Sequence, residues 1–285
     1  MPVHLLAIAA HRDDVELTCA GTLLKARDAG YSTGIIDLTA GESGTRGSAE
    51  LRGQEAQRAA ELLGVTERLN AGLPDACLQT PAAARKVVVE LIRHFAPRVV
   101  ILPYPVGRHP DHRIASELGR DACFLAGLAR YNAGGSPHRP HKLLYALAYR
   151  EDPVKPTFVV DISEQFARKM ASIRCYASQF DGARKAGEIF PTGQDLYSLV
   201  ETQNAHYGSL IRTRYGEPFH TDETVRVDDV VALEGQSMQF RVPSSESVLL
   251  EWARDRHPRL RPRTQNSEDG TRNSEVETRN DVTFL

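Results

Sequence analysis

Two short polar clusters could do chemistry in this 285-residue chain. The first, His11-Arg12-Asp13-Asp14, ends the apolar run Val3–Ala10 just before a helical pattern resumes; the second is Gly107-Arg108-His109-Pro110-Asp111-His112-Arg113. Between them they offer the imidazoles of His11, His109 and His112 and the carboxylates of Asp13, Asp14 and Asp111. Two imidazoles and a carboxylate from separate loops are a usual ligand set for a catalytic zinc, with a position left open for water. The carboxylate and imidazole left over are the two proton-handling groups that metal-assisted amide hydrolysis requires. Helix capping is the competing reading. Asp13 followed by Glu16 reads as a capping box, and Pro110 is a common helix-start residue. Histidine is a poor cap, yet three histidines stand at these two corners, which favours chemistry. A helix N-terminus also disfavours a protonated imidazole, so His112 is expected to be neutral and able to bind metal.

The elements that must position these clusters alternate. Strand patterns cover Leu5–Ala10, Gly34–Thr39, Arg68–Leu73, Val99–Tyr104, Leu143–Tyr149 and Phe158–Ile162. Helical spacing covers Val15–Ala29, Ala49–Leu63, Ala82–Phe95 and Arg113–Arg130, then Glu164–Tyr176 and Leu196–Arg214. Gly30 and Gly64 stand where C-caps belong. The alternation predicts an α/β fold, a Rossmann-like, mainly parallel sheet with helices on both faces. Each polar cluster follows the end of a predicted strand. If the first and fourth strands are neighbours, both clusters open onto one crevice, where ligands of such sheets bind. The predicted organisation is a domain over residues 1–223 and a C-terminal extension over 224–285. In that extension Val225–Val242 could form one or two strands, and the uniformly polar Thr264–Asn280 is expected to be disordered.

Composition narrows the function classes. With 35 basic and 37 acidic residues the chain is nearly neutral, so neither nucleic acid nor a membrane is an expected partner. The basic cluster His257–Arg263 lacks the aromatic residues that stack on bases. Cys19, Cys77, Cys123 and Cys175 form no C-x-x-C pair, which argues against a zinc knuckle, a redox motif or a disulfide framework. The N-terminal apolar run is short and lacks a basic flank, so a cytoplasmic location is expected. No tandem repeats are visible.

The segment "AAHRDDVELTCAGTL" resembles the A-H-P-D-D-x-E-x-G-x-G-G-T-L signature of the LmbE-like, or PIG-L, zinc-dependent deacetylases, and "HPDH" at His109–His112 resembles their second motif. The resemblance extends from about residue 3 to 223. Within it, Leu38–Val65 and "YASQF" at Tyr176–Phe180 look most like the bacillithiol-biosynthesis branch, the N-acetylglucosaminyl-malate deacetylases. Arg12 stands in place of the usual proline and Ala20 in place of a usual glycine. The resemblance implies that His11, Asp14 and His112 hold one Zn2+, or another divalent metal, per subunit. It implies Asp13 as general base and a protonated His109 as the group that stabilises the oxyanion; either of them could protonate the departing amine. Asp111 either orients a ligand imidazole or caps the following helix, and Glu16 has a capping or orienting role.

A malate-bearing N-acetylglucosamine (GlcNAc) glycoside needs an arginine fork near the site. Arg52 and Arg139 resemble substrate-contacting arginines of the family, Arg46 lies in the loop after the second strand, and Tyr197 is a further candidate. Relatives commonly form trimers or hexamers, so the resemblance also implies a homo-oligomer. A mycothiol-type precursor, a thiol S-conjugate or a chitooligosaccharide could replace the malate conjugate as substrate. A Rossmann-like nucleotide-binding or methyl-transfer module is the alternative from another class. It calls for a G-x-G-x-x-G turn, where this chain has two carboxylates that would repel a pyrophosphate.

Overall fold

Apolar runs joined by helical crossovers pair as parallel strands, and five of them do so here. The computed structural model describes residues 2–148, 153–181 and 195–228. The parallel strands are β1 (Leu5–Ala9), β2 (Thr33–Thr39), β3 (Glu67–Leu73), β4 (Val99–Pro103) and β5 (Lys142–Ala146). With β6 (Phe158–Asp161) and β7 (Gly216–His220) they make one seven-stranded sheet, ordered β3-β2-β1-β4-β5-β7-β6. β1 pairs in parallel with β2 on one side and β4 on the other, Leu5 facing Thr33 and Val99. Strand order reverses there, and both polar clusters leave the sheet at this reversal, the usual ligand crevice of such folds.

The helices are α1 (Asp14–Thr18), α2 (Ala20–Asp28), α3 (Ala49–Leu63), α4 (Ala82–Phe95), α5 (Pro110–Ala126), α6 (Phe166–Arg174), α7 (Ala177–Phe180) and α8 (Leu196–Leu210). They cover both faces. Leu6 and Ile8 of β1 join Val88, Ile92 and Phe95 of α4 and Leu118 of α5 in one core, while Leu5, Ala7 and Ala9 pack with Val15, Leu23 and Leu24 in the other. Burial on both faces explains why β1 reads as a continuous apolar run. Among the described residues no helix is long and apolar enough to cross a membrane.

Several elements differ from expectation. The single helix expected over Val15–Ala29 breaks at Cys19, which has φ −144°. The cause is distant: the buried Glu217 carboxylate of β7 accepts the backbone N–H groups of Gly21 at 2.9 Å and Thr22 at 2.7 Å, so α2 starts afresh on it. Lys169 of α6 pairs with the same carboxylate at 2.7 Å. β7 was not among the expected strands, and its Gly216-Glu217-Pro218 stretch carries no β-branched residue. It lies antiparallel between β5 and β6, and the Pro218 carbonyl still accepts the Leu147 N–H. α5 begins at Pro110 rather than Arg113, and α8 ends at Leu210 rather than Arg214. Gly30 and Gly64 do take positive φ just past α2 and α3. Tyr149, the expected strand content of Val225–Val242 beyond residue 228, and the tail Thr264–Asn280 lie outside the described residues.

Candidate metal and catalytic site

The first cluster forms a tight turn between β1 and α1. Asp14 closes it, its Oδ2 accepting the His11 N–H at 2.8 Å. Asp13 occupies the N-cap position of α1, but its side chain makes no cap hydrogen bond, so the expected capping box does not form. Glu16 faces the interior instead, 2.6 Å from Arg68 Nη1 and accepting the Tyr176 hydroxyl at 3.0 Å. Burial pushes the Glu16 carboxyl up to about 7, against the pull of Arg68. The Arg68 fork also donates twice to Asp37, both bonds 2.8 Å. Arg68 and Tyr176 each donate to the Arg12 carbonyl, pinning the turn from below. The Arg12 guanidinium reaches α3, donating to the Ala49 carbonyl and crossing Gly53, where a Cβ would lie 2.9 Å from it.

Three candidate ligand groups converge above this turn, with each Asp14 oxygen facing one of the two imidazoles. His11 Nδ1 is 3.3 Å from Asp14 Oδ2, His112 Nε2 is 3.1 Å from Asp14 Oδ1, and the two ring nitrogens are 3.3 Å apart. Tetrahedral zinc with bonds of about 2.0–2.1 Å spaces its ligand atoms about 3.3 Å apart, so this triangle fits the ion. The other His11 nitrogen, Nε2, faces Asp75 Oδ1 at 3.1 Å and Asp111 Oδ2 at 3.5 Å. A neutral imidazole has one lone pair. The two carboxylates therefore take the Nε2 proton and leave Nδ1 for metal, the outer contact that fixes a ligand's tautomer. Asp111 is itself held by the N–H groups of Ala76 at 2.8 Å and Leu78 at 3.3 Å, so it orients a ligand rather than capping α5. The His11 hydrogen bond holds the Asp75 carboxyl down at about 2.

On the protein's own charges the triangle attracts cations strongly. Burial works against a charged His11, yet Asp14 and Asp75 outweigh it and raise the ring to about 11. His112 is raised in the same way, burial opposed and overcome by Asp14. That carboxylate works against the neutral His112 expected from its helix-start position. Burial likewise opposes charge on Asp14, but His112 and His11 hold it well below the usual carboxylate range.

The proton-handling groups stand beside the triangle. Burial raises the Asp13 carboxyl, while Arg52, with Nη2 3.3 Å from Asp13 Oδ1, pulls the other way. Arg52 also donates to the Gly41 carbonyl at 2.9 Å, tying the catalytic turn to the loop after β2. His109 caps α5 after all, its Nδ1 accepting the Asp111 N–H at 3.2 Å. Burial and the neighbouring imidazoles lower its pKa. That shift works against the imidazolium expected, and with Nδ1 accepting from Asp111 the nitrogen left to donate is Nε2.

These groups line an open cleft of about 390 Å3, whose walls also include Ser43–Thr45, Arg108, Gln179 and Phe180. Of the expected substrate residues only Arg52 reaches it. Arg46 turns to the Asp181 carbonyl at 3.0 Å, and the Tyr197 hydroxyl donates to Asp181 Oδ1 at 2.7 Å; neither lines the cleft. Arg139 stacks 4.3 Å over the Phe124 ring and donates to the Phe124 carbonyl. That is about 20 Å along α5 from the site end, outside the residues that line the cleft. Asp75, Arg68, Tyr176 and Arg108 were not singled out from sequence. Asp75 had one signal, a carboxylate just past the carboxyl end of β3; Arg108 lies within the second cluster itself.

Comparison with known proteins agrees with this geometry. The family model described as PIG-L, GlcNAc-PI de-N-acetylase, matches residues 6–123, which contain both clusters. Diacetylchitobiose deacetylase of Thermococcus kodakarensis is 31% identical over 233 residues, covering 75% of this chain and 80% of that protein. The 1D-myo-inositol 2-acetamido-2-deoxy-alpha-D-glucopyranoside deacetylase of Nocardia farcinica is 28% identical, covering 74% and 91%. The solved structure of the conserved protein TT1542 from Thermus thermophilus superposes with a TM-score of 0.71 at 35% identity, covering 79% of this chain and 98% of that one. Fold, ligand triangle and relatives agree at the level of the family: this chain belongs to the PIG-L, GlcNAc-PI de-N-acetylase, family and is an N-deacetylase.

Proposed function

We propose that the protein is a zinc-dependent hydrolase that removes the acetyl group from the glucosamine nitrogen of a GlcNAc glycoside whose aglycone is malate, the bacillithiol-pathway substrate. The observation that carries the reaction is the His11–Asp14–His112 triangle with Asp13 and His109 beside it on one cleft. The donor set, two imidazole nitrogens and a carboxylate at tetrahedral spacing, suits zinc. Bound zinc would acidify a water and polarise the acetamide carbonyl. Asp13 takes the proton of the attacking water, and its raised carboxyl pKa suits it to that work. Arg52 keeps that carboxylate in place. His109 donates from Nε2 to the amide oxygen as charge develops on it. With Nδ1 engaged by Asp111, His109 has no second proton to give. Asp13 therefore delivers the proton to the amine as the C–N bond breaks, giving acetate and the free amino sugar.

The malate aglycone is supported by the likeness of Leu38–Val65 and Tyr176–Phe180 to that branch and by Arg108 in the cleft wall, a cation placed to meet a carboxylate. Diacetylchitobiose is a second reading, favoured by the Thermococcus relative. The proposal extends to one zinc per subunit, a trimeric or hexameric assembly and action in the cytoplasm. The test is zinc content together with amine release from N-acetylglucosaminyl malate, diacetylchitobiose and the inositol glycoside, in wild type and Asp13→Ala. The malate glycoside should be hydrolysed fastest and Asp13→Ala should be inactive. A malate glycoside among the poorest substrates would overturn the aglycone, and an active Asp13→Ala would overturn the mechanism.

A further inference from the structure

Behind the ligand triangle lies a second, smaller cavity of about 30 Å3, which the mechanism above does not use. Alanines leave room in it among the larger Ile8, Val15, Leu102, Tyr104 and Val106, which also line it. Ala9 of β1 and Ala146 of β5 stand at strand positions where branched side chains are common, and Ile101 of β4 closes the floor. Asp14, Thr18, His112 and Ala148 line both this cavity and the cleft, so the two spaces meet at the metal ligands. Thr18, Asp14 and His112 on its wall already have partners. The Thr18 hydroxyl donates to the Asp14 carbonyl at 2.8 Å, and Asp14 and His112 face each other at 3.1 Å. Water entering it would find few groups to bond, and such a space suits an apolar group.

We propose that this cavity receives the alkyl portion of the acyl group and sets the length of acyl chain that the enzyme removes. The inference rests on the amide-hydrolase reading. Because Asp14 and His112 line both spaces, the alkyl substituent of an amide held at them lies next to this cavity. A buried water needs roughly 10–15 Å3, so the space takes about two methyl-sized groups. Acetyl fits with room to spare, propionyl fills the cavity, and a medium-length chain has nowhere to go. Ala148, at the junction, is the specificity-determining residue.

The experiment compares kcat/KM for N-acetyl, N-propionyl, N-butyryl and N-hexanoyl forms of one glucosaminide in wild type, Ala148→Leu and Ala148→Gly. One methylene in an apolar pocket changes kcat/KM by about 10- to 200-fold. Wild type should hydrolyse the propionyl amide within about tenfold of the acetyl one and the hexanoyl amide at least about 100-fold more slowly. Ala148→Leu should lower the propionyl-to-acetyl ratio by about tenfold or more, and Ala148→Gly should raise the butyryl-to-acetyl ratio. Damage to the fold would lower all substrates together and leave these ratios alone. Unchanged ratios in both variants would overturn the acyl cavity while leaving the deacetylase reading intact. Wild type inert on every N-acylglucosaminide would overturn the hydrolase reading and the cavity with it.

Discussion

Replacing Asp75 by asparagine probes how His11 comes to present Nδ1 to a metal. The Asp75 carboxylate faces His11 Nε2 at 3.1 Å and also accepts the N–H groups of Ser43 and Ala76, each at 2.9 Å. Asparagine has one acceptor oxygen and one donor amide in the same volume. With its oxygen toward His11, its NH2 group meets the Ser43 N–H; turned round, the NH2 group meets the His11 Nε2–H. Either way a donor faces a donor, at a cost of about 1–3 kcal/mol. Asp111, at 3.5 Å from the same nitrogen, replaces only part of the loss. Losing such an outer contact weakens metal binding by about 10- to 100-fold. Zinc Kd for Asp75→Asn, read by competition with a chromophoric chelator, should rise by that factor while kcat at saturating zinc stays within about tenfold of wild type. A folded Asp75→Asn protein with wild-type zinc affinity would refute this account of the His11 tautomer.

Zinc affinity should rise with pH. His11 and His112 both hold protons more tightly than free imidazole, so at neutral pH the metal must displace about one to two protons; calorimetry in buffers of different ionisation heat should detect that release, and none would contradict the assignment. His109→Ala should keep its zinc but lose about 10²- to 10³-fold in kcat, the usual cost of one oxyanion donor; undiminished turnover would remove His109 from the reaction. Lys169→Met strands Glu217 among buried donors and should cost about 3–5 kcal/mol in urea unfolding. Adding Glu217→Gln should recover part of that loss, and an unshifted midpoint in the single variant would show that the pair does not hold α2, α6 and β7 together.

The groups that converge at the candidate site were legible in the sequence because they come from two short clusters at strand ends. Local periodicity placed both clusters past the first and fourth strands, and the sheet pairs those strands as required. What the sequence could not show was set by partners far along the chain. Asp75 meets His11 from the loop after β3, and Tyr176 holds the Arg12 carbonyl from 164 residues away. Glu217 interrupts a well-patterned helix from 196 residues away. The substrate arginines were the weakest reading because a guanidinium can pair with any carbonyl or ring within reach. Arg46 found the Asp181 carbonyl and Arg139 the Phe124 ring, and Arg52 became the support of Asp13. Residue types and local spacing thus determined which chemistry this chain carries. Tertiary structure decided which nitrogen of His11 faces Asp14 and His112, how Asp13 is held and how much room lies behind them, because each depends on groups that only folding brings within hydrogen-bonding or packing distance.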